Sequence, residues 1–155
     1  MTLFERFSRK INTDGPVPAH RPGLGKCWIF TDGADKDGYG VFWVNELHRA
    51  ARAPRVAYEL YVGPIPGGLT IDHLCRNRIC VRPDHLEPVP IRINTLRGNG
   101  LSAKNAVATH CKNGHEFTPE TTYIRSRDGY SRQCKTCIFA RTYARRAALR
   151  AGNSA

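Results

Sequence analysis

An α+β fold of short elements, stapled at two clusters of cysteine and histidine, is what this sequence predicts, and three observations carry that prediction. The chain has 155 residues, enough for one domain with a modest core that benefits from staples. Most of its six cysteines lie close in sequence to a histidine or to another cysteine. Its apolar runs are brief, some β-branched and aromatic, others at helical spacing, and turn residues separate them.

Residues 1–25 are polar and carry Gly15-Pro16, Pro18, Pro22, Gly23 and Gly25, so they read as a short helical start followed by an irregular arm. Residues 26–100 form the main body. Within it, "CWIFTDG" and "YGVFWVN" predict an N-terminal hairpin closed by the loop "DGADKDG", with Trp28, Phe30, Phe42 and Trp43 as core residues. "PRVAYELYVG" predicts a helix between Pro54 and Gly63, with Val56 and Leu60 on its apolar face. After the turn "GPIPGG" come a strand "LTID", a loop crowded with histidine and cysteine, a strand "LEPV", and a short helix "IRINTLRG" stopped by Gly98. Residues 101–110 read as a linker. Residues 111–155 form a second unit: a hairpin turning at Asp128-Gly129, then the basic helical stretch "FARTYARRAALR".

The formal net charge is +11, from 24 Lys and Arg against 13 Asp and Glu, which favours a polyanionic partner over an acidic small molecule. Nucleic acid is the first expectation, and a basic solubilising surface is the alternative. No apolar run reaches the length of a membrane span, and "MTLFERFSRKINTDG" lacks the apolar stretch of a signal peptide. An intracellular protein with no membrane partner is therefore expected. In a reducing compartment, thiolate metal ligands are favoured over disulfides.

In the second unit, Cys111 and His115 are separated by three residues, and Cys134 and Cys137 by two. Each pair can present two ligands from one turn of chain, and a tetrahedral zinc ion accepts three thiolates and an imidazole. His110 is the competing ligand, and it needs a different loop geometry. In the main body, "IDHLCRNRICVRPDHLE" has the spacing His-x-Cys-x4-Cys-x4-His, giving His73, Cys75, Cys80 and His85, followed by Asn94. Those four could hold one zinc ion, which leaves Cys27 without a partner. If Cys27 joins Cys75, Cys80 and His85 instead, the shell is closed and His73 is free for chemistry.

With Asn94 following it, "DHLCRNRICVRPDHL" resembles the ββα-metal nucleases, in particular the His-Cys box homing endonucleases and the small phage-type HNH endonucleases. The resemblance covers residues 27–98. It implies a zinc-braced ββα-metal core in which His73 is the catalytic histidine, Cys75, Cys80 and His85 bind zinc, and Asn94 binds the catalytic metal. Cys27 would be the upstream fourth zinc ligand. The second unit is similar to the C-terminal finger attached to phage-type HNH proteins, its spacing differing from the second site of the His-Cys box family. Asp72 stands where HNH enzymes commonly carry an acidic metal ligand.

The chemistry agrees with that implication. Phosphodiester hydrolysis needs a nucleophilic water, neutralised phosphate charge and a stabilised leaving oxygen. His73 is suited to take the proton from water. Asn94, with Asp72 as a second candidate, offers the oxygen ligands that Mg²⁺ or another divalent ion prefers. Asp72 and His73 are neighbours, so on a regular strand they point to opposite faces unless the strand ends or bulges. Arg55, with Arg49 and Arg52 as alternatives, is a candidate to steady the scissile phosphate. Arg49, Arg52, Arg76, Arg78, Arg92 and Arg97 are candidate contacts to double-stranded DNA, as are Arg141, Arg145 and Arg146 of the acid-free tail. The expectation is a metal-dependent DNA endonuclease of phage or mobile-element type, with two structural zinc ions and a one-metal mechanism. A homodimer or phage packaging partners fit the same sequence, and a non-catalytic zinc-ribbon DNA-binding protein is the alternative function.

Overall fold

A computed structural model describes residues 1–126 and 131–152. The chain divides into two units, Met1–Asn94 and the residues from Thr95 onward.

The first unit opens with α1 (Leu3–Ser8), started by a capping box in which the Thr2 hydroxyl accepts from Glu5 N and the Glu5 carboxylate accepts from Thr2 N. Ile11–Asn12 forms β1, antiparallel to β2 (Ile29–Phe30), with Ile11 opposite Phe30. β3 (Val41–Val44) pairs with β4 (Arg49–Arg52), and α2 (Ala53–Tyr61) follows directly, carrying Pro54 in its first turn. Gly63, at φ 138°, ends α2 with its N–H on the Tyr58 carbonyl. β5 (Leu69–His73) and β6 (Leu86–Pro90) pair antiparallel from Leu69 opposite Pro90 to His73 opposite Leu86. α3 (Ile91–Arg97) completes the expected order of strand, histidine- and cysteine-rich loop, strand and helix.

The core is a cluster of three phenylalanines with the apolar faces of α2 and the β5–β6 pair. Phe7 stacks on Phe30 at 5.6 Å and meets Phe42 edge-on at 5.1 Å. Val44, Val56, Ala57, Ile71, Val81 and Leu86 pack around them. Gly40 lies against this cluster so closely that a Cβ there would stand 2.7 Å from Phe30 and 3.2 Å from Ala53. Only glycine fits.

Three expectations are corrected here. Residues 1–25 are not a free arm, because Phe7 of α1 is fully buried in the core and β1 pairs with β2. The predicted hairpin between "CWIFTDG" and "YGVFWVN" does not form: β2 pairs with β1, while β3 pairs with β4. Trp43 is 54% exposed, because alternation along β3 sends Phe42 and Val44 inward and Trp43 outward.

In the second unit, residues 101–110 contain α4 (Leu101–Val107) where a linker was expected. Arg132 explains why this segment is ordered. Its guanidinium donates to the carbonyls of Asn105, Ala106 and Ala108, capping the end of α4. The unit boundary falls within α3 rather than at residue 100. β7 (Thr122–Ile124) pairs antiparallel with β8 (Arg132–Cys134), and the predicted turn at Asp128-Gly129 lies outside the described residues. α5 (Lys135–Gly152) starts at once and is rich in Ala and Arg, both good helix formers. Residues 139–152 of α5 are exposed on every side. Among the described residues, no helix is long and apolar enough to cross a membrane.

Candidate active site

The loop from Leu74 to His85 is held by backbone bonds that deliver four ligand atoms to one point. Leu74 N donates to the His85 carbonyl at 2.8 Å, continuing the β5–β6 ladder by one rung. Arg76, at φ 58°, turns the chain so that its N–H reaches the His73 carbonyl, which sets Cys75 inward. On the far side, Phe30 N donates to Ile79 O and Val81 N to Trp28 O, tying β2 to the loop. That tie brings Cys27, distant in sequence, beside Cys75 and Cys80.

The thiol sulfurs of Cys27, Cys75 and Cys80 and a ring nitrogen of His85 lie within 4.8 Å of one another, and all four residues are buried. Nδ1 of His85 is 3.6 Å from Cys27 Sγ and 3.5 Å from Cys80 Sγ. A tetrahedral zinc with ordinary bond lengths separates a nitrogen and a sulfur ligand by about 3.6 Å, so the donor set fits that ion. Nε2 of His85 lies 3.0 Å from the Leu24 carbonyl, which can only accept, so Nε2 carries the proton and Nδ1 faces the thiols. Hydrogen bonding from Cys80 draws the Cys75 thiol down to about 5, while the same contact and burial push Cys80 up. His73 is outside this cluster, and Cys27 is its fourth member.

The second cluster is alike in kind. Cys111, His115, Cys134 and Cys137 place their ligand atoms within 4.8 Å of one another. Nδ1 of His115 stands 3.4 Å from Cys111, 3.7 Å from Cys134 and 3.3 Å from Cys137. Burial, which alone would raise the Cys111 thiol, is outweighed by hydrogen bonds from Asn113 N–H, His115 and Cys137, and the thiol falls to about 6. His110 is turned to Thr109 and takes no part. Each Cys3His set can hold one metal ion.

His73 ends β5 at 6% exposure, and Nε2 lies 3.2 Å from the Cys80 carbonyl. Since the carbonyl accepts, Nδ1 is the basic nitrogen of the neutral ring. Burial holds the imidazole below its ordinary value, against the opposing influence of Cys75, the Cys80 carbonyl and Asp72. His73 and Asn94 line one cleft of about 310 Å³ with Arg52, Arg55 and Tyr39, while Pro54, Thr70, Ile71 and Ile91 supply its apolar wall. A histidine with a free lone pair, an amide oxygen and two guanidinium groups thus share one opening.

Asp72 is not among the residues lining the cleft. It is 2% exposed, and its carboxylate accepts from Arg76 Nη1 at 2.8 Å. Arg78 is likewise engaged, donating to the Asp37 carbonyl at 2.7 Å. Arg49 is exposed on β4, Arg92 and Arg97 on α3, and Arg141, Arg145 and Arg146 on α5. Tyr39 is the cleft residue that sequence reasoning missed. No spacing links it to His73, and the one local signal was the tight loop "DKDGYG".

A model of the HNH endonuclease family matches residues 52–96, the stretch from the cleft arginines through both strands and Asn94. The uncharacterized gene 5.3 protein of Enterobacteria phage T3 is 32% identical over 69 residues, covering 42% of this chain and 68% of that protein. Protein 7.7 of Escherichia phage T7 is 37% identical over 60 residues, covering 39% of this chain and 45% of its own. Protein 2.8 of the same phage is 27% identical over 94 residues, 61% of this chain and 59% of its own. The chain therefore spans about half the length of these two T7 relatives. No solved structure matches the chain. The chain belongs to the HNH endonuclease family, and its relatives are phage proteins.

Proposed function

We propose that this protein is a metal-dependent DNA endonuclease that hydrolyses phosphodiester bonds with His73 as general base. The observation that carries the reading is the bond from His73 Nε2 to the Cys80 carbonyl, inside a cleft that also holds Asn94 and two arginines. That bond directs the basic Nδ1 to the work of taking a proton from the attacking water. Asn94 offers one neutral oxygen ligand on the cleft wall, which suits Mg²⁺, an ion that keeps several waters and shares its shell with phosphate. A divalent cation held there supplies charge neutralisation at the phosphate and the leaving 3′ oxygen. Asp72 is ion-paired with Arg76 and absent from the cleft lining, which favours Asn94 as the protein's ligand in a one-metal arrangement.

Zinc in each Cys3His set is the structural part of the proposal. The first set braces the loop between β5 and β6, and the second joins Cys111 and His115 to the start of α5 through Cys137. Arg52 and Arg55 meet the scissile phosphate, and Arg49, Arg92 and Arg97 extend the contact along the backbone. Arg76 and Arg78 are less available because each is already bonded within the chain. α5 has no acidic residue and is exposed all round from residue 139, so Arg141, Arg145 and Arg146 can meet phosphates from any side. The setting is the interior of a phage-infected cell, as a homing or packaging-associated nuclease.

Purified protein incubated with supercoiled plasmid, with and without Mg²⁺, tests the reading. Mg²⁺-dependent nicked or linear product is expected, nicked product indicating one strand cut and linear product two, as a symmetric pair of chains would give. Tight DNA binding without cleavage under any divalent ion would replace it with a zinc-stapled binding module.

A further inference from the structure

Arg52 is exposed and yet held at three points. Its side chain is 44% accessible, Nε donates to Asp35 Oδ2 at 2.9 Å, and Nη2 donates to Asp37 Oδ2 at 2.9 Å. Its guanidinium carbon stands 4.1 Å from the centre of the Tyr39 ring. Exposed ion pairs add little to stability, so three restraints on one surface arginine are a weak staple. They are a strong means of orientation, because they immobilise a long side chain that would otherwise sample many rotamers.

The frame is itself rigid. Asp35 Oδ1 accepts from the backbone N–H of Asp37 at 2.9 Å and of Tyr39 at 3.0 Å. Asp35 N donates to the Tyr39 carbonyl, closing the loop, and Gly38 at φ 83° makes the turn. Arg78 ties the frame to the metal-bearing loop, donating to the Asp37 carbonyl with its guanidinium 5.5 Å from the same ring. Arg52 and Tyr39 both line the cleft with His73. Nη1 of Arg52 has no hydrogen bond to any described residue.

We propose that Tyr39 is a positioning residue: with Asp35 and Asp37 it fixes the Arg52 guanidinium so that Nη1 meets a phosphate oxygen of a DNA strand lying in the cleft. This deepens the nuclease reading and rests on it. Two carboxylates beside a phosphate site lower its attraction for DNA, so the arrangement trades affinity for orientation. Its signature belongs in the cleavage step rather than in binding.

A double-mutant cycle tests this, using single-turnover cleavage of a duplex oligonucleotide by the full chain, with duplex affinity, zinc content and melting temperature measured alongside. Tyr39→Leu is expected to slow cleavage about 10- to 100-fold with affinity and zinc content kept, since small misplacements of an orienting group cost rates of that order. Tyr39→Phe, which keeps the ring under the guanidinium, should recover most of the loss. In an Arg52→Lys background, Tyr39→Leu should cost almost nothing more. Additive losses would mean that Tyr39 acts by another route, including its contact with the His73 ring at 5.7 Å, and would overturn the proposal. Should Tyr39→Leu fail to fold, Asp37→Asn, nearly equal in size, carries the same cycle: slow and non-additive supports the proposal, and wild-type speed overturns it. A wild-type chain that cuts no DNA removes the nuclease reading and this proposal with it, whereas cleavage with an additive cycle removes this proposal alone.

Discussion

Nε2 of His73 lies 3.2 Å from the carbonyl oxygen of Cys80, a residue whose sulfur belongs to the first Cys3His cluster. One short loop therefore both closes the metal shell and chooses the tautomer of the histidine in the cleft. Structural and chemical duties are divided between neighbouring side chains. Cys75 and Cys80 turn into the cluster, and His73 turns into the cleft.

His73→Ala removes the proposed base and no member of either Cys3His set. Folding, zinc content and DNA affinity should persist while cleavage falls on the order of 10²- to 10⁴-fold, the range for a lost general base. Plasmid cleavage measured beside elemental analysis and a binding isotherm checks this. A folded, nuclease-free preparation of His73→Ala that cuts as fast as the parent rules His73 out as the base.

The first metal set should behave as a folding element. Cys27→Ser opens a shell whose four members are all buried, and His85→Ala also abandons the bond to the Leu24 carbonyl. Elemental analysis should find two zinc ions per wild-type chain and about one in either variant, with the melting transition of the first unit lost or much lowered. Two zinc ions retained in Cys27→Ser would remove Cys27 from the shell.

Gly40→Ala offers a test of packing alone. The added methyl meets Phe30 and Ala53 within the core cluster, so a loss of about 1–3 kcal/mol is expected for overpacking. Denaturant unfolding measures it, and an unchanged midpoint would show that the phenylalanine cluster yields without cost.

How much of this was legible in the sequence follows from the range of the interactions involved. The ligand spacing around Cys75, Cys80 and His85 is local, and so is the helix between Pro54 and Gly63, and both stand in the structure as read. Strand partners were not legible. β2 has two residues and β3 four, too few for their pattern to specify a register, so the pairing of β2 with β1 is decided by Phe7 and Phe30 meeting in the core. Trp43 was misread because an aromatic residue in a strand is a core residue only on one of its two faces. α4 was missed because its cap is Arg132, a residue distant in sequence. Tyr39 joins His73 and Arg52 through ring packing that no local spacing encodes.

The acid-free helix α5 should supply salt-dependent affinity. Replacing Arg141, Arg145 and Arg146 by alanine should lower the slope of log affinity against log salt by roughly 0.9 for each phosphate that is no longer neutralised. Cleavage at saturating protein should change little. A slope equal to the wild type's would leave the helix a solubilising role.

The final prediction separates the two oxygen ligands considered for the catalytic metal. Asn94 lines the cleft with His73, whereas the Asp72 carboxylate is 2% exposed, engaged by Arg76 and absent from the cleft lining. Asn94→Ala should therefore raise the Mg²⁺ concentration needed for half-maximal cleavage, and part of the lost rate should return as Mg²⁺ is increased. Asp72→Asn keeps the size of the side chain but weakens its pairing with Arg76, which holds the turn carrying Cys75. Its expected effect is a lower melting temperature and a modest fall in rate with the Mg²⁺ requirement unchanged. Mg²⁺ titrations of both variants beside thermal melts decide the matter. If Asp72→Asn shifts the Mg²⁺ requirement as far as Asn94→Ala does, the carboxylate leaves Arg76 for the metal during turnover, and the one-ligand arrangement is wrong.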